Sequence, residues 1–257
     1  MPAALPKRVS HHEETFSTFL RNRSVFTQVD IFMKSVLAFL LLCGIVIMAS
    51  CTKKPITEGR IVYSIDYPEQ KDNFFLYSIL PKEMEMHFKD GRLSSTIQKA
   101  NLRFSQYVDC NQRSFTTYFE YGSDQFHSVF TSQEVSSLVS SQDNYTIQWS
   151  KEKDTIAGYD VKKAVAVNKE NPKDKIELWY TEQIHLPEAN WYNPFKQVKG
   201  TLLAYAIDRY GIRMVFRAKK VEEIPVDERT LEPVKKGKSI NYDAFNTKMN
   251  DLFKTFE

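Results

Sequence analysis

Residues 83 to 91 read EMEMHFKDG: Met84, Met86 and Phe88 alternate with Glu83, Glu85, His87 and Lys89, and an Asp-Gly pair follows. Apolar and polar side chains at every second position suit a pleated strand with one wet face and give a helix no continuous apolar stripe. Asp90-Gly91 is a two-residue hairpin signal, so residues 92–98 are expected to return alongside as a second strand. This period of two recurs along most of the chain and limits what it can fold into.

Upstream, IVYSIDY places Ile61, Tyr63, Ile65 and Tyr67 on one face. Downstream, LRFSQYVDC leads through Asn111-Gln112 into SFTTYFEY, where Phe115, Thr117, Phe119 and Tyr121 share a side, and QFHSVF continues the meander. SQEVSSLVSSQ, residues 132–142, breaks the alternation and reads as a short helix or loop, with Ser132 a candidate N-cap. Strands then resume through Tyr145, Ile147 and Trp149; a turn at KDTIAG; Val161, Val165 and Val167; a turn at Asn171-Pro172; and Ile176, Leu178 and Tyr180. Two long strands, 201–207 and 212–221, are joined by DRYG. Between the last of these groups lies HLPEANWYNPFKQVKG, whose Pro187 and Pro194 cannot donate to a ladder and which carries Trp191, Tyr192 and Phe195. Tyr242, Phe245, Met249, Leu252, Phe253 and Phe256 recur at helical spacing.

Nine to eleven antiparallel strands with no repeat period predict a mainly β fold: a large curved antiparallel sheet or open half-barrel, with a short covering segment and a C-terminal amphipathic helix. A sheet of that size has to cover its apolar face. The proline-interrupted aromatic segment and the terminal helix are the available covers.

The amino-terminal region is of another kind. VLAFLLLCGIVIM, residues 36–48, is uncharged, follows Lys34 and precedes Ala49 and Ser50. It falls short of the roughly 20 apolar residues of a spanning helix and has the charged, apolar and small-residue order of an export signal. MASC, residues 48–51, resembles the lipobox of bacterial lipoproteins, with Met48 where Leu is commoner. That resemblance implies cleavage before Cys51 and lipidation of its sulfur and new amino group; an uncleaved membrane helix is the alternative. The implied organisation is a non-native upstream extension (1–32), a signal peptide (33–50), a tether (51–59), an antiparallel β domain (60–235) and a helical tail (236–257). Thr52, in place of a retention aspartate, implies the outer membrane, and the lack of an acidic run in TKKPITEG favours its periplasmic leaflet.

The three cysteines are Cys43, Cys51 and Cys110, so a lipidated Cys51 leaves Cys110 without a disulfide or zinc-ligand partner. After Cys51, 30 basic side chains face 29 acidic ones, which gives no electrostatic footprint for nucleic acid. His87, His127 and His185 form no metal-binding spacing, and HExxH, GxSxG, P-loop and GxGxxG patterns are missing from the sequence. The expectation is therefore a non-enzymatic protein with no metal and no cofactor.

LPKEMEMHFKDGRLSS, IAGYDVKKAVAV, IELWYTEQI and NPFKQVKGTLLAYAIDRYGIRMVFRAKKVEE, taken in order, resemble a family of uncharacterised envelope lipoproteins common in Bacteroidetes. That family is similar to GLPGLI proteins and, more distantly, to LolA-like half-barrels, which carry lipidated proteins or lipids across the periplasm. The resemblance spans about residues 60–230, brings no catalytic residues, and does not extend to the helical tail. It implies one of two roles. Either the concave face binds a lipid, acyl chain or hydrophobic peptide, with Trp191, Tyr192 and Phe195 in a lid, or the interior is filled and the molecule is an envelope scaffold or interaction module. The first requires an apolar cavity of several hundred cubic ångströms. Separately, Asp154-Thr155-Ile156 fits the short O-glycosylation motif of such periplasmic proteins, which makes Thr155 a candidate modification site.

Overall fold

The computed structural model describes residues 54–254 except 143. The expected upstream extension, signal peptide and Cys51 lie outside the described residues. The described chain forms one 12-stranded sheet. In chain order its strands are β1 (Glu58–Asp66), β2 (Glu83–Lys89), β3 (Arg92–Lys99), β4 (Leu102–Asp109), β5 (Ser114–Tyr121), β6 (Asp124–Phe130), β7 (Tyr145–Ile156), β8 (Tyr159–Asn168), β9 (Lys175–Thr181), β10 (Thr201–Arg209), β11 (Ile212–Glu222) and β12 (Lys238–Ser239). The order across the sheet is β12-β6-β5-β4-β3-β2-β1-β11-β10-β9-β8-β7. Two meanders thus meet where β1 pairs antiparallel with β11, and the sheet ends at β12 and β7 without closing.

The join is held from both faces. On one, Tyr63 is buried and its hydroxyl donates to the Leu202 carbonyl at 2.8 Å. On the other, Arg60 Nη2 donates to Glu222 Oε2 at 2.6 Å. Hairpins follow the local backbone demand. Asp90 and Gly91 both have positive φ (47° and 81°), as do Ala157-Gly158 (50° and 83°) and Tyr210-Gly211 (53° and 74°). Paired positive φ values match the right-handed twist of the flanking strands.

Among the described residues four α-helices accompany the sheet: α1 (Phe74–Ile79), α2 (Ser132–Gln142), α3 (Glu228–Leu231) and α4 (Tyr242–Lys254). The cap of α2 is Thr131 rather than Ser132. Thr131 Oγ1 accepts from Glu134 N at 3.2 Å and Glu134 Oε2 accepts from Thr131 N at 2.7 Å, a reciprocal capping box. Asn241 caps α4, its Oδ1 accepting from Ala244 N at 2.9 Å.

β12 pairs parallel, Lys238 and Ser239 against Phe126 and His127 of β6, whereas the other strand pairs are antiparallel among the described residues. It brings part of the expected helical tail into the sheet. Gly237 makes this approach possible: at φ 71° a Cβ there would sit 2.1 Å from the Gln125 carbonyl oxygen, so no other residue fits without moving the chain.

Two apolar clusters result. The larger covers the concave face and takes in the buried faces of β1 to β6 and β11 with Phe245 and Met249 of α4. The smaller joins Ala164, Ala166, Ile176, Leu178, Tyr180, Leu202 and Ala206 of β8 to β10 with Phe195 and Val198 from the segment between β9 and β10. Because neighbouring side chains on a strand point to opposite faces, Ala206 in this cluster lies across the sheet from Tyr205 and Ile207.

Candidate functional site

The concave face is not filled. It encloses a cavity of about 510 Å³, within the roughly 300–1,000 Å³ span of small-ligand sites. Its floor follows from strand register. Met84, Ile97, Phe104 and Phe119 stand side by side on β2 to β5, and Ile212, Met214 and Phe216 of β11 and Tyr205 and Ile207 of β10 continue the wall. α4 is the roof: Phe245 meets the Phe126 ring at 5.6 Å and the Phe130 ring at 6.1 Å, both near perpendicular, and the Phe104 ring at 6.4 Å. Leu252 and Phe253 at the far end of α4, with α1, border the cavity at the level of the β10–β11 hairpin.

One polar row crosses this floor. Ser95, Gln106, Thr117 and Ser128 pair laterally across β3, β4, β5 and β6, and the first three line the cavity. Ser95 Oγ lies 3.5 Å from Gln106 Oε1, whereas Thr117 Oγ1 and Ser128 Oγ are buried with no hydrogen-bond partner among the described residues. An unpaired buried hydroxyl costs about 1–3 kcal/mol, so this row is maintained against the packing preference of the site.

The three expected lid residues separate. Tyr192 lines the cavity and stacks on Phe115 with ring centroids 5.6 Å apart, and burial pushes its phenol well above the ordinary range. Trp191 turns away into a small surface cleft with Arg113, Glu188 and Lys199. Phe195 is fully buried in the smaller cluster on the opposite side of the sheet, so it packs the fold rather than the cavity. Thr155 is exposed near the end of β7, opposite Asp160, and its backbone N–H donates to Asp154 Oδ1 at 2.8 Å.

Other candidate groups have structural surroundings. Cys110 is buried, and desolvation, then the nearby Asp109, pushes its thiol up to about 12. His127 is also buried. Its Nδ1 lies 3.1 Å from the Lys236 carbonyl oxygen, where the segment leading to β12 crosses β6. Among the described residues no three His, Cys, Asp or Glu side chains gather as a metal site would need.

α1 is the part of the site that strand patterning missed. Asn73 Oδ1 caps it by accepting from Leu76 N at 3.1 Å, and Lys99 Nζ donates to the carbonyl oxygens of Ser78 and, at 3.2 Å, Leu80. Leu76 is buried, but Phe74 is 83% and Phe75 69% exposed, and Phe75 borders the cavity. The sequence signal was present as an apolar pair after the helix-capping Asn73.

No family model matches this chain, and no curated protein matches it. Among solved structures it is similar to PNGF-II, with a TM-score of 0.47 and 15% identity over 75% of this chain and 32% of that one. It thus spans about a third of that protein's length. It is also similar to a β-barrel-like protein of the domain of unknown function DUF1849 from Brucella abortus, with a TM-score of 0.31 and 7% identity over 66% of this chain and 98% of that one. A third likeness is to LprF from Mycobacterium bovis, with a TM-score of 0.26 and 13% identity over 67% of this chain and 88% of that one.

Proposed function

We propose that this protein is a non-enzymatic binding protein that holds a lipid or other hydrophobic ligand in the concave cavity of its sheet. The observation that carries the reading is the cavity itself: about 510 Å³ bordered by aromatic and aliphatic side chains, beneath a helix that could have filled it. A scaffold has no use for such a space. Empty volume in a core costs stability, on the order of 24 cal/mol per Å³ in large-to-small core variants, so selection for packing alone would close it. The ligand's apolar surface supplies the missing contacts at about 0.8 kcal/mol per buried methylene.

The test is extraction of purified, unlipidated Cys51→Ala protein with organic solvent, followed by mass spectrometry. The expected result is a hydrophobic compound at about one per chain, and uptake of a fluorescent fatty acid by the delipidated protein. Recovery of no such compound together with no uptake would leave the scaffold reading in its place.

Attachment to the cell envelope through a lipid on Cys51 is part of the proposal and rests on the MASC segment behind its short apolar run. Metabolic palmitate labelling is expected to mark the wild-type chain and not Cys51→Ala. Label that persists in the variant refutes lipidation at this residue.

A further inference from the structure

The cavity is apolar, but its charges are one-sided. Among the described residues its lining includes Lys99 and Arg209 and no aspartate or glutamate. Lys99 already serves the backbone of α1 by donating to the Ser78 and Leu80 carbonyls. Arg209 is different. It is the last residue of β10, on the same face as Tyr205 and Ile207, and all three line the cavity. Its neighbour Asp208 points to the other face, where it lies 3.8 Å from Arg213 Nη1, which also has Asp174 at 3.4 Å. Asp208 and Asp174 thus face the outer arginine, and no carboxylate acts on the inner one among the described residues.

Arg209 is tied to the next residue, since its side chain hydrogen-bonds that of Tyr210. Tyr210 and Gly211 form the tight turn that follows, the Tyr210 ring stacks on Phe253 of α4 at 5.6 Å and 9°, and the Tyr210 hydroxyl donates to Asn246 Oδ1 at 3.3 Å. Burial lowers the affinity of the Arg209 guanidinium for its proton. A guanidinium nevertheless stays charged at any physiological pH. The side-chain partner of Arg209 is the neutral Tyr210 hydroxyl, so no opposite charge offsets the desolvation of this half-buried cation, and an anion entering the cavity would supply it. Arginine's planar fork of donors matches a carboxylate or a phosphate in two hydrogen bonds.

Size narrows the ligand further. An apolar cavity of about 150 Å³ takes one benzene, so about 510 Å³ has room for about 20 carbon atoms. That is one acyl chain, not the two of a diacyl phospholipid.

Resting on the proposed ligand-binding function, we infer that the ligand is a single-chain amphiphile with an anionic head, carboxylate or phosphate monoester, whose chain lies in the cavity and whose head pairs with Arg209.

The test compares palmitate, its methyl ester, the alkyl phosphate and the amine of the same chain in displacement of a hydrophobic dye from the full-length protein, wild type, Arg209→Gln and Arg209→Lys. The wild type is expected to bind one or both anions at least tenfold more tightly than the ester, and the amine most weakly. Whichever anion binds tighter identifies the head. Arg209→Gln is expected to bind the ester as before and to lose the preference, and Arg209→Lys to keep part of it. Equal binding of anion and ester by the wild type, or a full preference kept by Arg209→Gln, overturns this inference and leaves the hydrophobic site standing. Failure of every chain to displace the dye overturns both readings.

Discussion

Phe245→Ala is expected to destabilise the protein by about 3–5 kcal/mol, the range for a buried phenylalanine whose site cannot collapse. Phe245 is 2% exposed and is the contact through which α4 lies on the sheet, with its ring against Phe104, Phe126 and Phe130. Its neighbours on the helix do not replace these ring contacts: Tyr242 makes its ring contact with Phe130, and buried Met249 packs about one turn further along. The loss reads directly in chemical denaturation as a lower midpoint. Because α4 is also the roof, the variant should release a bound dye faster than the wild type even at temperatures where the sheet is fully folded. An unchanged midpoint would mean that α4 contributes nothing to the core, and the cavity would then be an open trough.

How far the sequence announced this arrangement depends on how each residue is buried. Met84, Met86 and Phe88 were legible because β2 has one buried and one wet face, and Asp90-Gly91 marked the turn. The end of β7 was not: its KDTI residues looked like a turn, yet they extend the strand to Ile156. β7 ends the sheet and is exposed along most of both faces, so no alternation has to be kept and pairing with β8 alone holds it. β12 is two residues long and carries no pattern; it exists because Gly237 lets the chain touch β6.

The site was legible in part for similar reasons. Tyr242, Phe245, Met249, Leu252 and Phe253 gave the covering helix by spacing, and all five line the cavity. Trp191, Tyr192 and Phe195 were grouped by proximity in sequence, but an irregular segment has no period to say where each side chain points. Tyr192 alone reaches the cavity. The strand expected to stop at Ile207 runs on to Arg209, and that extension places a cation on the apolar face, a feature visible only once the strand is carried two residues further.

Met214→Trp is expected to abolish ligand binding while leaving the fold intact, and it separates a used cavity from an incidental one. Met214 is half-buried in the middle of the sheet, opposite Ile207 on β10, and its side chain borders the empty volume. Overpacking a filled core costs about 1–3 kcal/mol, but here the added ring enters space that has no atoms, so the denaturation midpoint should hold or rise. Binding of any single-chain ligand should fall by more than about 100-fold, since losing contact with about four methylenes at about 0.8 kcal/mol each is already worth more than two powers of ten. Val129→Trp is the control: Val129 is 56% exposed on β6, between inward-facing Ser128 and Phe130, and a ring placed there stays in solvent. Binding that survives Met214→Trp at the level of the control would show that the ligand, if there is one, sits elsewhere on the molecule.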